Sequence, residues 1–444
     1  METETSYWEP EIERLSRPDM VALQQHKLVA LGQRLASDES WRQHFAKAGM
    51  KAEDIGRPEA FAELPMLEKA DLRALYPYPM LTVELDQVRR FCATSGTTGL
   101  PVMFGFTARD LGDLLPRQMA RIYTAGGARA GDIVYQGYGY GLWLGGFGFD
   151  IGAEAIGATC FPVGPGRGEL AVQWLRDQGH TVCSVSAFWL MQVVAQAKEA
   201  GIDPKRDWRL RLGFFGGQSI SAGFRGELEA EMPEGFLALN SYGTTEAGGP
   251  IVGNACPHSH DHNEMHLICE DTVLTEILDP RTLEPVGPGG EGEIVLTTLE
   301  KEASPMVRWR TRDLVKLSEN PYDCPCGRPG LPLIGPIVGR SDDMLKIRGA
   351  MVFPSQVEDV IAATPGTVKE AWQIYIDHAQ GELEEGTVAI ERRPESNAGS
   401  AALARQVADS LRARLGVRLE VDCHEFGTLP RYEGKAQRVI IRDK

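Results

Sequence analysis

Thr94-Ser95-Gly96-Thr97-Thr98-Gly99 places four hydroxyls and two glycines in six residues. A loop of that composition is rich in donors and poor in bulk, so its backbone N–H and hydroxyl groups can wrap a polyphosphate. It is not the Walker sequence, because the Gly-Lys-Ser/Thr ending is absent. Ser241-Tyr242-Gly243-Thr244-Thr245-Glu246 repeats the chemistry after a predicted strand. There hydroxyls can hold a phosphoryl oxygen, and the Glu246 carboxylate can hold a divalent ion that neutralises phosphate charge. Arg310-Thr311-Arg312-Asp313 ends on a carboxylate suited to accept two hydrogen bonds from ribose hydroxyls, with a surface ion pair as the alternative.

Two further segments carry charge at glycine-bounded positions. Gly339 to Gly349, with Arg340, Asp342, Asp343, Lys346 and Arg348, reads as a charged linker around a short apolar core. Pro430-Arg431-Tyr432-Glu433-Gly434-Lys435 is a loop that ends in lysine. A separate cluster concerns metal. Cys256-Pro257-His258-Ser259-His260-Asp261-His262, with His266 close behind, precedes Cys324-Pro325-Cys326. Three sulfurs and one nitrogen form a common structural Zn²⁺ set, and thiolates with imidazole favour zinc over magnesium.

These residues need rigid elements behind them. From 131 to about 245, short apolar runs (133–135, 181–185, 212–215, 236–239) alternate with helix-period stretches (169–178, 188–200, 222–232). Such alternation predicts an α/β domain with mostly parallel strands. The period-2 segments 273–278 and 293–297, with Gly289-Gly290 between them, predict a β-rich subdomain. The first 90 residues read as helices punctuated at Pro58, Pro65 and Pro77. The last hundred form a separate α+β unit of order αββαβ, opened by a capping box of Ser355 and Glu358 and containing a helix ended by Gly416.

Composition excludes several classes. The chain has 444 residues, with 46 Lys+Arg against 62 Asp+Glu, a formal charge of −16. That excess of acid disfavours nucleic acid or an anionic membrane as the main partner. No apolar run approaches the roughly 18 residues of a membrane span, and Met1-Glu2-Thr3-Glu4 lacks the flank of a secretion signal. The expected location is cytoplasmic. Eight cysteines are too few for a disulfide scaffold; Cys92, Cys160, Cys183, Cys269 and Cys423 stand singly, as small buried hydrophobes do.

Taken in order, the five charged or hydroxyl-rich segments resemble the adenylate-forming superfamily of acyl-CoA synthetases, in particular its phenylacetate-CoA ligase (aryl-CoA ligase) branch. Tyr138-Gly139-Tyr140-Gly141-Leu142, Trp309 to Asp313 and Gly339 to Gly349 are most similar to that branch. One departure is Leu100, where the family's phosphate loop commonly has lysine.

The resemblance implies a large N-terminal adenylation domain, 1–341, and a small mobile C-terminal domain, 342–444. It implies that Ser95, Gly96, Thr97 and Thr98 cover the pyrophosphate portion of ATP. Gly216, Gly217 and Gln218 would lie against adenine and Tyr242 near the base, with Gly243 and Thr244 in the same nucleotide-binding segment. Thr245 would touch the α-phosphate, Glu246 would bind Mg²⁺, and Asp313 would hold the ribose, with Arg340 nearby. Lys435 would bridge the attacking carboxylate and the α-phosphate, cancelling charge that develops in the transition state. Asp342 matches the hinge, and the Lys346–Gly349 loop would serve thioester formation from coenzyme A. Tyr138, Tyr140, Gly141, Ala247, Gly248 and Pro250 would form the aromatic acid pocket.

Some members of this branch are similar in carrying a zinc site with histidine shortly after the first cysteine. His266 matches that position beside Cys256, Cys324 and Cys326, with His258 and His262 as rivals. A homodimer fits the family. Two other readings compete: a stand-alone adenylation enzyme that loads the acid onto a carrier protein, and a zinc-stabilised interaction protein with a degenerate ligase fold.

Overall fold

The computed structural model describes residues 6–94, 101–217, 220–342, 345–347, 350–378, 385–431 and 438–443. These residues form two compact units. One comprises residues up to Ile220, Glu227–Thr311 and Val315–Pro336; the other comprises Ile337 onward with Ser221–Gly226 and Arg312–Leu314.

In the first unit, β1 (Val88–Ala93) and β2 (Met103–Thr107) form an antiparallel pair. Next come β3 (Ile133–Gln136), β4 (Thr159–Pro162), β5 (Val182–Ser184), β6 (Leu212–Phe215) and β7 (Leu237–Tyr242). They pair in parallel as β4-β3-β5-β6-β7. The linking helices Gly145–Ala155, Gly168–Asp177 and Ala187–Glu199 bury apolar faces, among them Ala171, Val172 and Leu175. β5 and β6 are buried along their length, which is why they read as unbroken apolar runs. The predicted alternation of strand and helix is therefore what the chain forms.

The β-rich segment differs from expectation in its connection. β8 (Gly253–Asn254), β9 (Met265–Leu267), β10 (Val273–Leu278), β11 (Glu291–Thr298), β12 (Trp309–Leu317) and β13 (Leu333–Arg340) continue the same sheet instead of closing a subdomain of their own. The order becomes β10-β11-β12-β13-β9-β8-β7-β6-β5-β3-β4 among the described residues. The change from parallel to antiparallel falls at β7–β8, where Ser241 faces Asn254. β8 and β9 are two and three residues long, too short to show a period in sequence.

In the second unit, β14 (Leu345–Ile347) pairs with β15 (Ala350–Val352). β16 (Thr367–His378), β17 (Glu385–Arg392), β18 (Glu420–His424) and β19 (Val439–Asp443) form a sheet of order β18-β17-β16-β19. The helices Pro354–Ala363 and Ser400–Leu415 cover it, with Val357, Ile361, Leu403, Val407 and Leu411 packed on Trp372, Ile374, Val388 and Ile390. Gly416 ends the second helix at φ +69°, as predicted. The first helix begins two residues earlier than predicted. Phe353 is its N-cap, Pro354 takes the first position, and Gln356 Oε1 accepts from Phe353 N at 3.1 Å, so residue 355 lies inside the helix and is not its N-cap. Proline at the first helical position, where no N–H is needed, sets that boundary. No helix of the described residues is long and apolar enough to cross a membrane.

Candidate functional site

The C-terminal ends of the parallel strands carry most of the first unit's predicted site residues, the position where open α/β sheets leave a crevice. Gly216 follows β6 directly, and Gly217 has φ +81°, a conformation glycine adopts without steric cost. A Cβ on Gly243 would stand 1.7 Å from the carbonyl oxygen of Pro250. Only glycine lets the turn after β7 pass so close to the chain returning into β8. A Cβ on Gly148 would meet Pro250 Cγ at 2.3 Å, so glycines let the helix 145–155 and the 243–250 loop approach each other.

Within that loop, Thr245, Glu246 and Ala247 are buried. The Thr244 hydroxyl donates to the Glu246 carboxylate. Gly248 turns the chain at φ +85°, with its Cβ position 3.0 Å from Lys301 Cδ. Lys301 is fully buried beneath the turn: its ammonium lies 3.4 Å from the Glu246 carbonyl, 4.6 Å from the Phe106 ring centre and 5.2 Å from that of Phe104. Burial pulls its pKa down to about 8, against the pull of Asp110 and Glu246. Hydroxyls and one carboxylate are hard oxygen donors, the chemistry Mg²⁺ selects.

Tyr138 and Tyr140 follow β3. Tyr138 is buried, stacked on Phe149 with ring centres 5.0 Å apart and met edge-on by Trp143 at 5.6 Å. Tyr140 donates to Asp150 Oδ1 at 2.9 Å, and Phe147 meets its ring edge-on at 5.3 Å. Burial raises the Tyr140 pKa, and the Asp150 carboxylate adds to that. Nothing lies within 4 Å of a Cβ placed on Gly141.

The zinc-type cluster also belongs to the first unit. Ligand atoms of Cys256, His266, Cys324 and Cys326 all lie within 4.8 Å of one another. Cys326 Sγ is 3.1 Å from His266 Nε2, and Cys256 Sγ is 3.7 Å from Cys324 Sγ. His266 Nδ1 faces the Leu331 carbonyl at 3.1 Å, so the second nitrogen is oriented toward the sulfurs. Hydrogen bonds from Cys324 and Cys326 drive the Cys256 pKa down. Burial lowers that of His266, but bonds to Cys256 and Cys326 outweigh it and raise it to about 9. Four converging soft donors fit Zn²⁺. His258 and His262 are not part of this group among the described residues. His260 turns instead to Glu229, Nε2 to Oε1 at 2.6 Å. The N-terminal segment straps the cluster: the Tyr7 hydroxyl donates to Cys326 O at 2.7 Å, and Arg328 donates to Glu13 at 2.9 Å.

In the second unit, Arg340 donates from Nη1 to Asp313 Oδ1 at 2.8 Å and binds Asp342 through Nε at 2.9 Å and Nη2 at 3.0 Å. Lys346 lies on β14. Ser95, Gly96, Thr97, Thr98, Gln218, Gly349 and Lys435 lie outside the described residues.

Three buried polar residues that support this architecture are not among the residues singled out from the sequence. Asn240 clamps Ile220, donating to its carbonyl at 3.2 Å and accepting from its N–H at 3.1 Å. Gln136 accepts from Tyr138 N and donates to Tyr140. Lys301 is the third. The available signal is a polar residue in an otherwise apolar run: Gln136 closes β3, and Asn240 follows Leu237-Ala238-Leu239 within β7.

The family model described as AMP-binding enzyme matches residues 15–298, and that of the AMP-binding enzyme C-terminal domain matches 349–442. The phenylacetate-coenzyme A ligase of Aromatoleum evansii is 35% identical over 438 residues, covering 97% of this chain and 96% of that protein. The phenylacetate-coenzyme A ligase of Pseudomonas putida is 38% identical over 426 residues, 94% of each. Among solved structures, a 2-hydroxyisobutyryl-CoA ligase in complex with 2-HIB-AMP has a TM-score of 0.87 at 26% identity, covering 100% of this chain and 94% of that one.

Proposed function

The chain belongs to the AMP-binding enzyme family, and from that premise we propose that it is an ATP-dependent, AMP-forming ligase joining an arylacetic acid of the phenylacetate type to coenzyme A. The observation that carries this reading is the similarity to phenylacetate-coenzyme A ligases over nearly the whole length of both partners.

In the first step a carboxylate oxygen attacks the α-phosphorus of ATP. The new O–P bond gives the acyl-adenylate, and the bond to the β-phosphate breaks to release pyrophosphate. In the second step the thiol of coenzyme A loses its proton and attacks the acyl carbon, and AMP leaves. Two anions must meet in the first step, so the chain's task is to cancel charge and fix geometry. Thr244, Thr245 and the 94–99 hydroxyls donate to phosphate oxygens. The backbone at Gly216 and Gly217 gives adenine a flat, Cβ-free surface, beside Gln218 and Tyr242. Asp313, oriented by Arg340, accepts from the ribose. Lys435 supplies the positive charge between carboxylate and α-phosphate. Mg²⁺, when bound at Glu246, neutralises phosphate charge.

The acid sits among Tyr138, Tyr140, Gly141, Ala247, Gly248 and Pro250, whose rings and small residues suit a flat aryl group. Asp342 is the hinge between the adenylation domain, 1–341, and the C-terminal domain, 342–444, and Lys346 with Gly349 serves the second step. Zn²⁺ at Cys256, His266, Cys324 and Cys326 is structural, because four protein ligands leave no open position.

A panel of aromatic and aliphatic acids, assayed for AMP release with coenzyme A present, tests the reading. Turnover with phenylacetate-type acids is expected. Turnover confined to fatty acids would overturn the aryl assignment, and transfer to a phosphopantetheinyl carrier but not to free coenzyme A would overturn the acceptor.

A further inference from the structure

Tyr138 does two things with its two ends. Its ring is fixed between Phe149 and Trp143, while its hydroxyl turns away into the ends of the parallel strands. There it accepts from Gly216 N at 2.7 Å and has the carbonyls of Val185 at 2.7 Å, Phe214 at 3.2 Å and Gly216 at 3.3 Å around it. A phenol has one proton to give, and the nearest oxygen, that of Val185, is its natural acceptor. The hydroxyl thus joins the chain leaving β3 to those leaving β5 and β6.

Gly216 needs such a partner. It is the first residue beyond β6, where the strand ladder has ended, and it is buried. A buried N–H left without an acceptor is costly, because it has given up water and gained nothing in return. The next residue, Gly217, is exposed and takes a positive φ. The approach is tight on the other side as well: Gly137 donates to Ser184 O at 2.9 Å, and a Cβ there would lie 2.8 Å from Val185 Cγ1. The tyrosine is therefore delivered to Gly216 by backbone packing that only glycine allows.

We infer that the Tyr138 hydroxyl is a positioning group for the nucleotide, holding the Gly216–Gly217 turn at the height the adenine ring requires, whereas its ring alone faces the acid. This rests on the reading that Gly216 and Gly217 lie against adenine. It assigns the two ends of one side chain to two different substrates.

The test is Tyr138→Phe, which keeps the ring and removes one oxygen. AMP affinity, measured calorimetrically, and KM for ATP should worsen about 5- to 20-fold, as expected for losing one positioned hydrogen bond. KM for phenylacetate should stay within about twofold, since the ring is unchanged. The penalty should vanish for pyrophosphate, which carries no base, and a general structural defect would not make that distinction. A rise confined to the acid's KM, or no change for either substrate, overturns the proposal. Gly217→Ala separates the underlying reading. If it weakens AMP while Tyr138→Phe does not, the tyrosine assignment fails alone. If neither weakens AMP, the adenine reading fails with it. Should the phenylalanine variant not accumulate, Tyr138→3-fluorotyrosine repeats the comparison, because its oxygen is a poorer acceptor on a ring of nearly the same size.

Discussion

Arg340 Nη1 lies 2.8 Å from Asp313 Oδ1, while the rest of the same guanidinium grips Asp342 with two bonds. A planar fork shared in this way fixes the Asp313 rotamer and neutralises part of its charge. Replacing it by Arg340→Gln should release Asp313 from that orientation. KM for ATP is expected to rise about tenfold, equivalent to about 1.4 kcal/mol, with kcat within a fewfold of the parent enzyme. Steady-state kinetics at saturating acid and coenzyme A measure it, and an unchanged KM for ATP would remove Asp313 from the ribose site.

Asp342, on the other side of that fork, is exposed, and its proposed role is torsional. Asp342→Pro locks φ and should leave acid-dependent pyrophosphate release intact while cutting thioester formation by about a hundredfold or more. Asp342→Ala is the control, since it removes the carboxylate but keeps the torsions, and both half-reactions should persist. Parallel loss of the two half-reactions in the proline variant would show that residue 342 is not the hinge.

The cysteine cluster predicts a bound metal with a defined stoichiometry. Elemental analysis of protein purified without chelators should find about one zinc per chain, falling to a small fraction in Cys326→Ser. His258→Ala and His262→Ala should keep the metal, and His266→Ala should lose it. Because Tyr7 and Arg328 tie the N-terminal segment to this cluster, zinc loss should lower Tm by about 5 °C or more. The absence of zinc from the parent protein would dispose of the site.

How far these features can be seen in sequence depends on what specifies them. Period and composition announce the strands 212–215 and 273–278 and the helix 187–199, because burial of one face leaves a local pattern. Motif chemistry announces Glu246 and Asp313. Nothing local announces β8, β9 or β13, whose pairing joins residues as far apart as His266 and Leu333. For the same reason the antiparallel half reads in sequence as a separate subdomain, although it continues the parallel sheet. The metal histidine is a similar case. By type alone the four histidines between 258 and 266 are equivalent; the family resemblance singles out His266, and the structure brings it to the three sulfurs with Nδ1 facing the Leu331 carbonyl across 65 residues. Tyr138 reads as pocket because aromatic residues among glycines suggest a cavity, whereas its hydroxyl partner is 78 positions away.

His180 predicts an acid limb of stability. It is fully buried, edge-on to Tyr135 at 5.4 Å and tilted against Phe161 at 5.5 Å, and burial lowers its pKa to about 4. Folding therefore favours the neutral ring. Its contribution is fully present above the unfolded pKa of about 6.5 and is lost as pH falls from there through about 4, to the extent of about 3 kcal/mol. His180→Leu should flatten the dependence of Tm on pH between about 6.5 and 4 relative to the parent. If the two profiles stay parallel across that window, another group governs the acid limb.

Glu391 is buried in the second unit and accepts from Gly427 N at 3.0 Å, from Leu429 N at 2.5 Å, and from Arg431 Nη1 and Nη2 at 3.0 and 2.7 Å. Burial alone would raise its pKa, but the bonds from Arg431 and the two backbone N–H groups outweigh it and hold the pKa below the ordinary carboxylate range. The carboxylate thus fixes the chain at Arg431, four residues before Lys435. Beyond that segment Arg438 is fixed as well, donating to the carbonyls of Glu370 and Trp372 at 3.0 Å each. Glu391→Gln keeps the shape but exchanges one acceptor oxygen for a donor facing other donors. Since Lys435 is proposed to act only while the adenylate forms, acid-dependent pyrophosphate exchange should fall about 10- to 100-fold. Thioester formation from preformed acyl-adenylate should stay within about threefold, because it needs no charge from that lysine. Equal losses in both steps, accompanied by a lower Tm, would mean that Glu391 holds only the fold of the small unit and not the approach to Lys435.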